Sequence, residues 1–600
     1  MFRIRIFFFA SFLLFTAAGT PVFAQHSETK KERKERKRQE KLEKRNRKKK
    51  KTALVIPAEI DAKARQASES FFLDGVKYAM LEDYPQALES FMQAYKMNPT
   101  NAAVNFKIAE MYLNIRKENE ALPFAKAALD LDPENSYYYL LLGQLYASRQ
   151  QFTEATNVFT RLLEKFPQEE MYYFNLADLY LAQNKIEDAV RIYERAEKQF
   201  GELEQIIFRK QQLYLKQNNL DKALAEGQKL IDNNPTEPQF VMAQAQILGS
   251  NNRPDEGIAL LNRLLRSDVP EDPQVHLLLS DLYRQKKDTQ AAEEQIKIAF
   301  GSPLLSIDDK IGILVRYMQQ LPNKDLEPTA TQLATLTVKA HPSEAKAYAI
   351  SGDIQALSGN KKAARDFYAK SLKFDKSHFQ VWQQLIVLDA ELGENDSLLA
   401  HTEKATDLFP NQAVVWFYNG TAHLIKKNYS KAAKALEFGK KLSADVPELQ
   451  TQFNLQLGDA YNSMKQYEKS NNAYEAVLAI DPNNIHVLNN YSYFLSVRNQ
   501  DLPKAKEMAE KLLKMAPEES TYLDTYAWVL YKMKDYANAK TYLEKALQTS
   551  KDGTVIEHYG DVLFQLGKKD EALNQWQQAK KAGGASDLID KKIRDKKLYE

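Results

Sequence analysis

Residues 143–167 read Gly-Gln-Leu-Tyr-Ala-Ser-Arg-Gln-Gln-Phe-Thr-Glu-Ala-Thr-Asn-Val-Phe-Thr-Arg-Leu-Leu-Glu-Lys-Phe-Pro. A small residue opens the stretch at Gly143. Tyr146 follows three residues on, Ala155 twelve on, Phe159 sixteen on, and Pro167 closes it. The same spelling returns every 34 residues, with anchors at Gly75, Ala109, Gly143 and Ala177. The tyrosines are Tyr78, Tyr112, Tyr146 and Tyr180, and the alanines Ala87, Ala121, Ala155 and Ala189. Phe91, Phe159 and Tyr193 hold the aromatic position, which Ala125 breaks once. Pro99, Pro133 and Pro167 close their units, and Gly201 replaces proline in the fourth. A fixed period of this length predicts a stack of supersecondary units rather than a globule.

Inside each unit the apolar residues recur at three and four, the helical spacing. Tyr137 to Ser148 reads as one helix, Gln150-Gln151 as an interruption, and Thr153 to Lys165 as a second helix. Proline cannot continue a helix, so Pro167 ends it. The small anchor is expected where the two helices approach, with the later alanine facing it. Tyrosines and phenylalanines would fill the gap between units.

This phased pattern of small residue, Tyr, Ala, aromatic and Pro resembles the tetratricopeptide repeat (TPR) family. Anchors continue at Gln211, Ala245, Ser280, Gly352, Ile386, Gly420, Gly458, Ser492, Ala527 and Gly560. Some units depart from the pattern: Gln211 and Ile386 are poor anchors, and Gly257 replaces the later alanine. Ser280 to Gly352 spans 72 residues and holds one degenerate unit, with helices near 306–320 and 327–340. Gly420 to Gly458 spans 38, a local insertion after the second helix. The expected layout is all-α, with about 15 two-helix repeats over 68–586. Regular repeats occupy 61–300 and 345–586, and the degenerate one lies in 301–344. Residues 587–600 read as a polar capping helix, which the end of a stack needs for solubility. The resemblance implies a right-handed superhelical solenoid whose first helices line an inner groove.

On that implication, side chains six and three before each anchor, and one and four after it, face the groove. The C-terminal units then present Asn489, Tyr493, Ser496, Asp524, Trp528, Tyr531, Glu557, Asp561 and Phe564. The N-terminal units present Phe72, Phe106, Glu110, Tyr137, Leu140, Gln144, Phe174 and Asp178. Trp528 with Tyr493 and Tyr531, beside Asn and Asp, offers stacking area and backbone hydrogen bonds to an extended peptide. The competing reading has Trp528 packed against the neighbouring helix pair. The family also includes modules that clamp a carboxylate with Lys, Asn and Arg. Here the matching face carries Glu110, Asp178, Asp459 and Asp561, which does not support that activity.

Catalytic chemistry finds little footing. The chain has no Cys, which excludes disulfides, thiolate metal sites and a lipid-modified cysteine. Its 8 His are scattered, with no HExxH and no glycine-rich phosphate loop, so no metal or cofactor is implied. Glu557 and Asp561 lie four apart on one helix, a spacing common on solvated faces and weak grounds for acid–base pairing.

Met1 to Gln25 reads as a secretory signal: Arg3 and Arg5, an apolar run from Ile6 to Phe15, and Val22-Phe23-Ala24 before the cut. An uncleaved membrane anchor is the alternative. From Ser27 to Thr52 the chain carries 15 Lys/Arg against 5 Asp/Glu, a net +10. The whole chain is +3 and the two leader arginines add +2, which leaves −9 for residues 53–600. Leu42 is the only apolar residue of that stretch, so residues 25–52, within an arm set at 25–60, are expected to be disordered or a lone helix. Lys30 to Lys51 could tether the chain to anionic lipid or cell-wall polymer. Nucleic acid fits poorly with export. The sequence thus points to an exported, non-enzymatic scaffold or adaptor of a bacterial envelope or periplasm, binding protein partners in its groove. The rival is an envelope-anchoring spacer held by the basic arm.

Overall fold

The computed structural model describes residues 61–268, 270–321 and 324–600. The expected leader (1–24) and basic arm (25–60), with its Lys30–Lys51 contact, lie outside the described residues. Among the described residues there are thirty-one α-helices, one 3-10 turn at Lys324–Leu326, and no strand. The helices are numbered in chain order from α1 (Ala62–Met80) to α31 (Ile589–Asp595). The first thirty form fifteen consecutive pairs, and the described residues are all-α.

The pair α5 (Ser136–Ser148) and α6 (Phe152–Lys165) shows how the local chemistry works. Asn135 caps α5 by accepting a hydrogen bond from Tyr137 N at 3.1 Å. At the far end Gln150 turns left-handed at φ 57°, and Gln151 N bonds back to Tyr146 O at 2.8 Å. This six-to-one bond satisfies a carbonyl that the ending helix leaves open. The left-handed residue recurs seven after the anchor along the chain: Arg116, Asn184, Asn218, Asn252, Gly359, Gly393, Lys427, Asn499 and Gly567. Gly and Asn take that conformation cheaply; the Arg and Lys positions carry strain of about 1 kcal/mol or more, borne by the packed helices on either side.

Packing explains the anchors. A Cβ on Gly143 would lie 2.3 Å from Phe159, and one on Gly75 would lie 2.6 Å from Phe91. Gly352 meets Tyr368, Gly458 meets Tyr474, and Gly560 meets Trp576 in the same way. The side chain sixteen residues on, from the second helix of the same pair, therefore lies flat on the anchor. These rings pack within units, where the sequence suggested they would fill gaps between them. The alanine twelve residues on contributes its backbone: Ser280 Oγ donates to Ala292 O at 2.8 Å, and Gln211 Nε2 donates to Ala223 O at 3.2 Å. Gln211 is thus a working anchor. Its bulk is matched by Gly227, buried at the position where other pairs carry a ring.

Packing separates the chain into two units, one ending at Lys229 and the other starting at Leu230. The first holds a continuous core from Ala109 to Ala223. The second holds successive cores, around Leu279, Leu333, Leu385, Phe453, Leu512 and Trp576.

Two irregular stretches differ from expectation in detail. The extra residues between Gly420 and Gly458 lengthen α23 (Pro447–Ser463) to 17 residues, against 13 for a typical first helix such as α5. In the degenerate unit, α15 (Ile307–Gln320) pairs loosely with α16 (Glu327–Ala340), and α16 packs more on α14 (Thr289–Gly301). Part of its interior is polar. Lys310 is buried, with Nζ 2.8 Å from Ser302 O and 2.9 Å from His341 Nε2. Burial pulls the pKa of this lysine down to about 8. At the end of the chain the expected capping helix shortens to α31, seven residues, after which Lys596 turns left-handed.

Candidate partner-binding faces

The offsets that define the inner face bring different surfaces together in the two units. In the first unit they leave an open surface. Tyr137 is 64% exposed, and Gln144 and Asp178 are also exposed. Phe72, Phe106, Leu140 and Phe174 are half-buried, and the phenylalanine rings rest on the core: Phe72 on Phe91 at 5.5 Å, Phe106 on Tyr138 at 5.1 Å and Phe174 on Tyr193 at 5.5 Å.

In the second unit a cleft of about 740 Å³ sits beside the degenerate pair. Of the eight offset positions around Ala245 and Ser280, six line it: Met242, Gln246, Gln274, Leu277, Asp281 and Arg284; Gln239 and Gly249 do not. Ile313, Arg316, Tyr317 and Gln320 from α15 also line it, with Thr289, Glu293 and Ile296 of α14 among the rest. Arg284 Nη2 donates to Tyr317 Oη at 2.7 Å, which fixes both groups at the rim. Arg316 stays exposed. No partner role was expected at this cleft because the degenerate unit has no readable anchor. The offset rule, applied to its neighbours, finds a third of the wall.

The C-terminal face needs a correction. Asp524, Trp528, Tyr531, Glu557 and Asp561, expected to line an open groove, are all buried; Asn489, Tyr493 and Phe564 are half-buried. Trp528, 7% exposed, stacks on His558 at 3.9 Å and on Tyr531 at 4.6 Å. The competing packing reading of Trp528 therefore holds. His558 Nδ1 meets Asp524 at 2.9 Å. Burial opposes the charged form of His558, but Asp524, with Asp561 and Glu557 nearby, outweighs it and holds the pKa above its ordinary value.

What closes this face is the chain's own last segment. Lys592 of α31 is buried between two carboxylates of α29 (Gly553–Gln565), 2.8 Å from Glu557 and 2.6 Å from Asp561. Ser586 donates twice to Glu557, each time at 2.6 Å, and Trp576 Nε1 donates to Asp561 at 2.8 Å. Burial is the largest influence on Asp561 and raises its pKa to about 6, against the pull of Lys592. For Glu557 the outcome reverses: burial pushes up, but Lys592 and Ser586 more than offset it. These carboxylates are engaged in a structural ion cluster, an arrangement that favours holding a cation over moving a proton.

Models of the tetratricopeptide repeat match residues 78–145, 140–204, 242–300 and 451–484. The chain carries tetratricopeptide-type repeats. A further model, described as anaphase-promoting complex, cyclosome, subunit 3, matches 498–579. A TPR repeat-containing protein of Pseudomonas aeruginosa is 29% identical over 184 residues, 30% of this chain. The match spans 30% of that relative's own length. Among solved structures, yeast Tom70 is 16% identical with a TM-score of 0.29, over 82% of this chain and 94% of that one. The MamA protein gives 17% and 0.27, over 29% and 96%. The structure of Naa15/Naa10 bound to HypK-THB gives 14% and 0.31, over 88% and 99%.

Proposed function

We infer that the chain is a non-enzymatic scaffold or adaptor that binds segments of partner proteins along the inner faces of its repeats. Its place, on this reading, is the bacterial cell envelope. The observation that carries the binding role is the cleft of about 740 Å³, a third of whose wall is first-helix side chains at the offsets expected for ligand contact. Its wall mixes Leu277, Ile313 and Tyr317 with Arg284, Arg316 and Asp281, the blend of apolar area and charge that suits a polypeptide. The envelope assignment rests on the leader-like start and the basic arm. A second reading draws on the same arm: its net +10 beside −9 elsewhere suits a tether to anionic lipid or cell-wall polymer.

Crosslinking in intact cells separates the two. Gln246 and Arg316 are both exposed, so changing each to Glu should leave the fold intact. The double variant is expected to lose most of the proteins that crosslink to the wild-type chain. An unchanged set of crosslinks contradicts the cleft. If, in addition, salt-sensitive sedimentation with phosphatidylglycerol vesicles vanishes on deleting residues 30–51, the tether reading takes its place.

A further inference from the structure

The second unit contains a face that is already occupied, and the occupant is part of the same chain. After α30 (Lys569–Ala582) the backbone turns at Gly583 and Gly584, both left-handed. Gly553 N donates to Gly583 O at 3.1 Å, and Thr554 Oγ1 donates to Gly584 O at 2.9 Å. The following residues then cross the inner side of α29 and reach α27 (Ser520–Lys532) in the preceding pair. Lys592 enters the Glu557–Asp561 pair, and Glu600 bonds Tyr531 and lies 2.8 Å from Lys532 Nζ. Lys532 in turn lies 5.1 Å over the ring of Trp528.

The contacts fall on the ligand offsets. Glu557 is three before its anchor, Asp561 one after, and Tyr531 four after. The face is polarised, with two carboxylates on the last pair and a cation with a phenol on the pair before it. Two buried carboxylates one helical turn apart repel each other unless a cation sits between them. The face is therefore built to receive a basic side chain at one end and an acidic one at the other. Its resident does not satisfy it fully, since Trp528 Nε1 is buried without a hydrogen-bond partner. The resident is also slight: its helix has seven residues, and Ile589 is its only fully buried apolar side chain.

We propose that residues 586–600 are an intrinsic competitor seated on a partner-binding face of the last two repeats. The ligand that displaces them is a polypeptide segment carrying a lysine or arginine for Glu557 and Asp561 and a carboxylate for Lys532 and Tyr531. The proposal builds on the scaffold reading and adds the chemistry of one partner and its regulation. Tethering gives the resident an effective concentration on the order of millimolar, so any ligand of this face is held back by the occupied fraction. A partner that brings no cation would leave the buried carboxylates unpaired and is rejected on that ground.

The test uses the full chain and a labelled synthetic peptide of residues 584–600 as probe. In the chain carrying Lys592→Glu and Glu600→Lys, the resident repels its own seat. Fluorescence anisotropy is expected to show the peptide binding this variant at least tenfold tighter than wild type. A peptide with the lysine corresponding to Lys592 replaced by Glu is expected not to bind. Equal affinity for both chains, or binding indifferent to that lysine, overturns the proposal. Should the double variant lose helicity, Glu600→Ala decides alone, because it alters only the end of the segment. It is expected to tighten peptide binding at least threefold, and no change overturns the proposal. The titration reads this face without reference to the cleft, so its failure leaves the cleft crosslinks standing, and their failure leaves it standing.

Discussion

Trp528→Ala is expected to lower the stability of the C-terminal repeats by about 3–5 kcal/mol, the cost of removing a large aromatic from a packed site. The indole is buried and stacked between His558 and Tyr531, and Lys532 rests over it. Removing it leaves a void bounded by the Asp524–His558 pair, which the helices can close only in part. Stacked repeats feel such losses locally, because each packs only on its neighbours. Hydrogen exchange of amides in 520–565 is therefore the measurement, with rates expected to rise roughly a hundredfold or more. Exchange in the first unit should not change. Trp528→Phe keeps a ring on the stack and removes an N–H that has no acceptor, so its cost should be about 1 kcal/mol or less. An alanine variant that exchanges like wild type would contradict the packed arrangement and reopen the exposed-groove reading of this residue.

Gly143→Leu is the second large effect, expected at about 3 kcal/mol of destabilisation, at the upper end for overpacked cores. Even a Cβ at this position meets Phe159 at 2.3 Å, and Phe159 is itself buried. The same pair predicts its own rescue. Because the array matches Gln211 with Gly227, a bulky anchor is compatible with a small residue sixteen positions on. Adding Phe159→Ala to Gly143→Leu should restore more than half of the loss, a coupling that independent sites would not show. Denaturant midpoints of the wild type, both single variants and the double variant measure it. An unchanged midpoint for Gly143→Leu, or strictly additive losses, would mean that the anchor does not lie beneath that ring.

The fold was legible because a period of 34 residues repeats the same local constraints many times. Each anchor places the helix crossing, each left-handed residue the turn, and each proline or glycine the exit. One match could be chance; the phase across the array could not. Departures from the pattern were harder to read. Gln211 looked defective because its compensation lies sixteen residues away at Gly227 and in a hydrogen bond to a backbone carbonyl. The helices of the degenerate unit were legible at 306–320 and 327–340, but its partly polar interior was not: Lys310 and His341 meet at 2.9 Å beside an apolar core around Leu333.

The inner face was legible as positions but not as surroundings. The offset rule found a third of the cleft wall, and in the first unit it picked exposed Tyr137, Gln144 and Asp178. At the C-terminal end it selected residues that do share one face, and that face is covered. The cover is made by contacts such as Lys592 to Asp561 and Glu600 to Tyr531, between residues 31 and 69 apart. A residue 69 positions away and outside the repeats leaves no trace in a repeat pattern. The composition of 587–600 pointed to a solvated cap. The pairing of its lysine with two buried carboxylates could be seen only once the helices were placed.

The central claim is that partner proteins bind the side of the repeats formed by the first helices. Site-specific photo-crosslinking in cells tests it most directly, with benzoylphenylalanine introduced one position at a time. Tyr137, Gln144 and Asp178 sample the inner offsets of the first unit, and Arg316 samples the cleft. Arg161 and Glu194, exposed on second helices, serve as controls. The account predicts partner adducts from the inner positions and few or none from Arg161 and Glu194. Adducts that arise equally from both sets, or mainly from the second-helix positions, would contradict it.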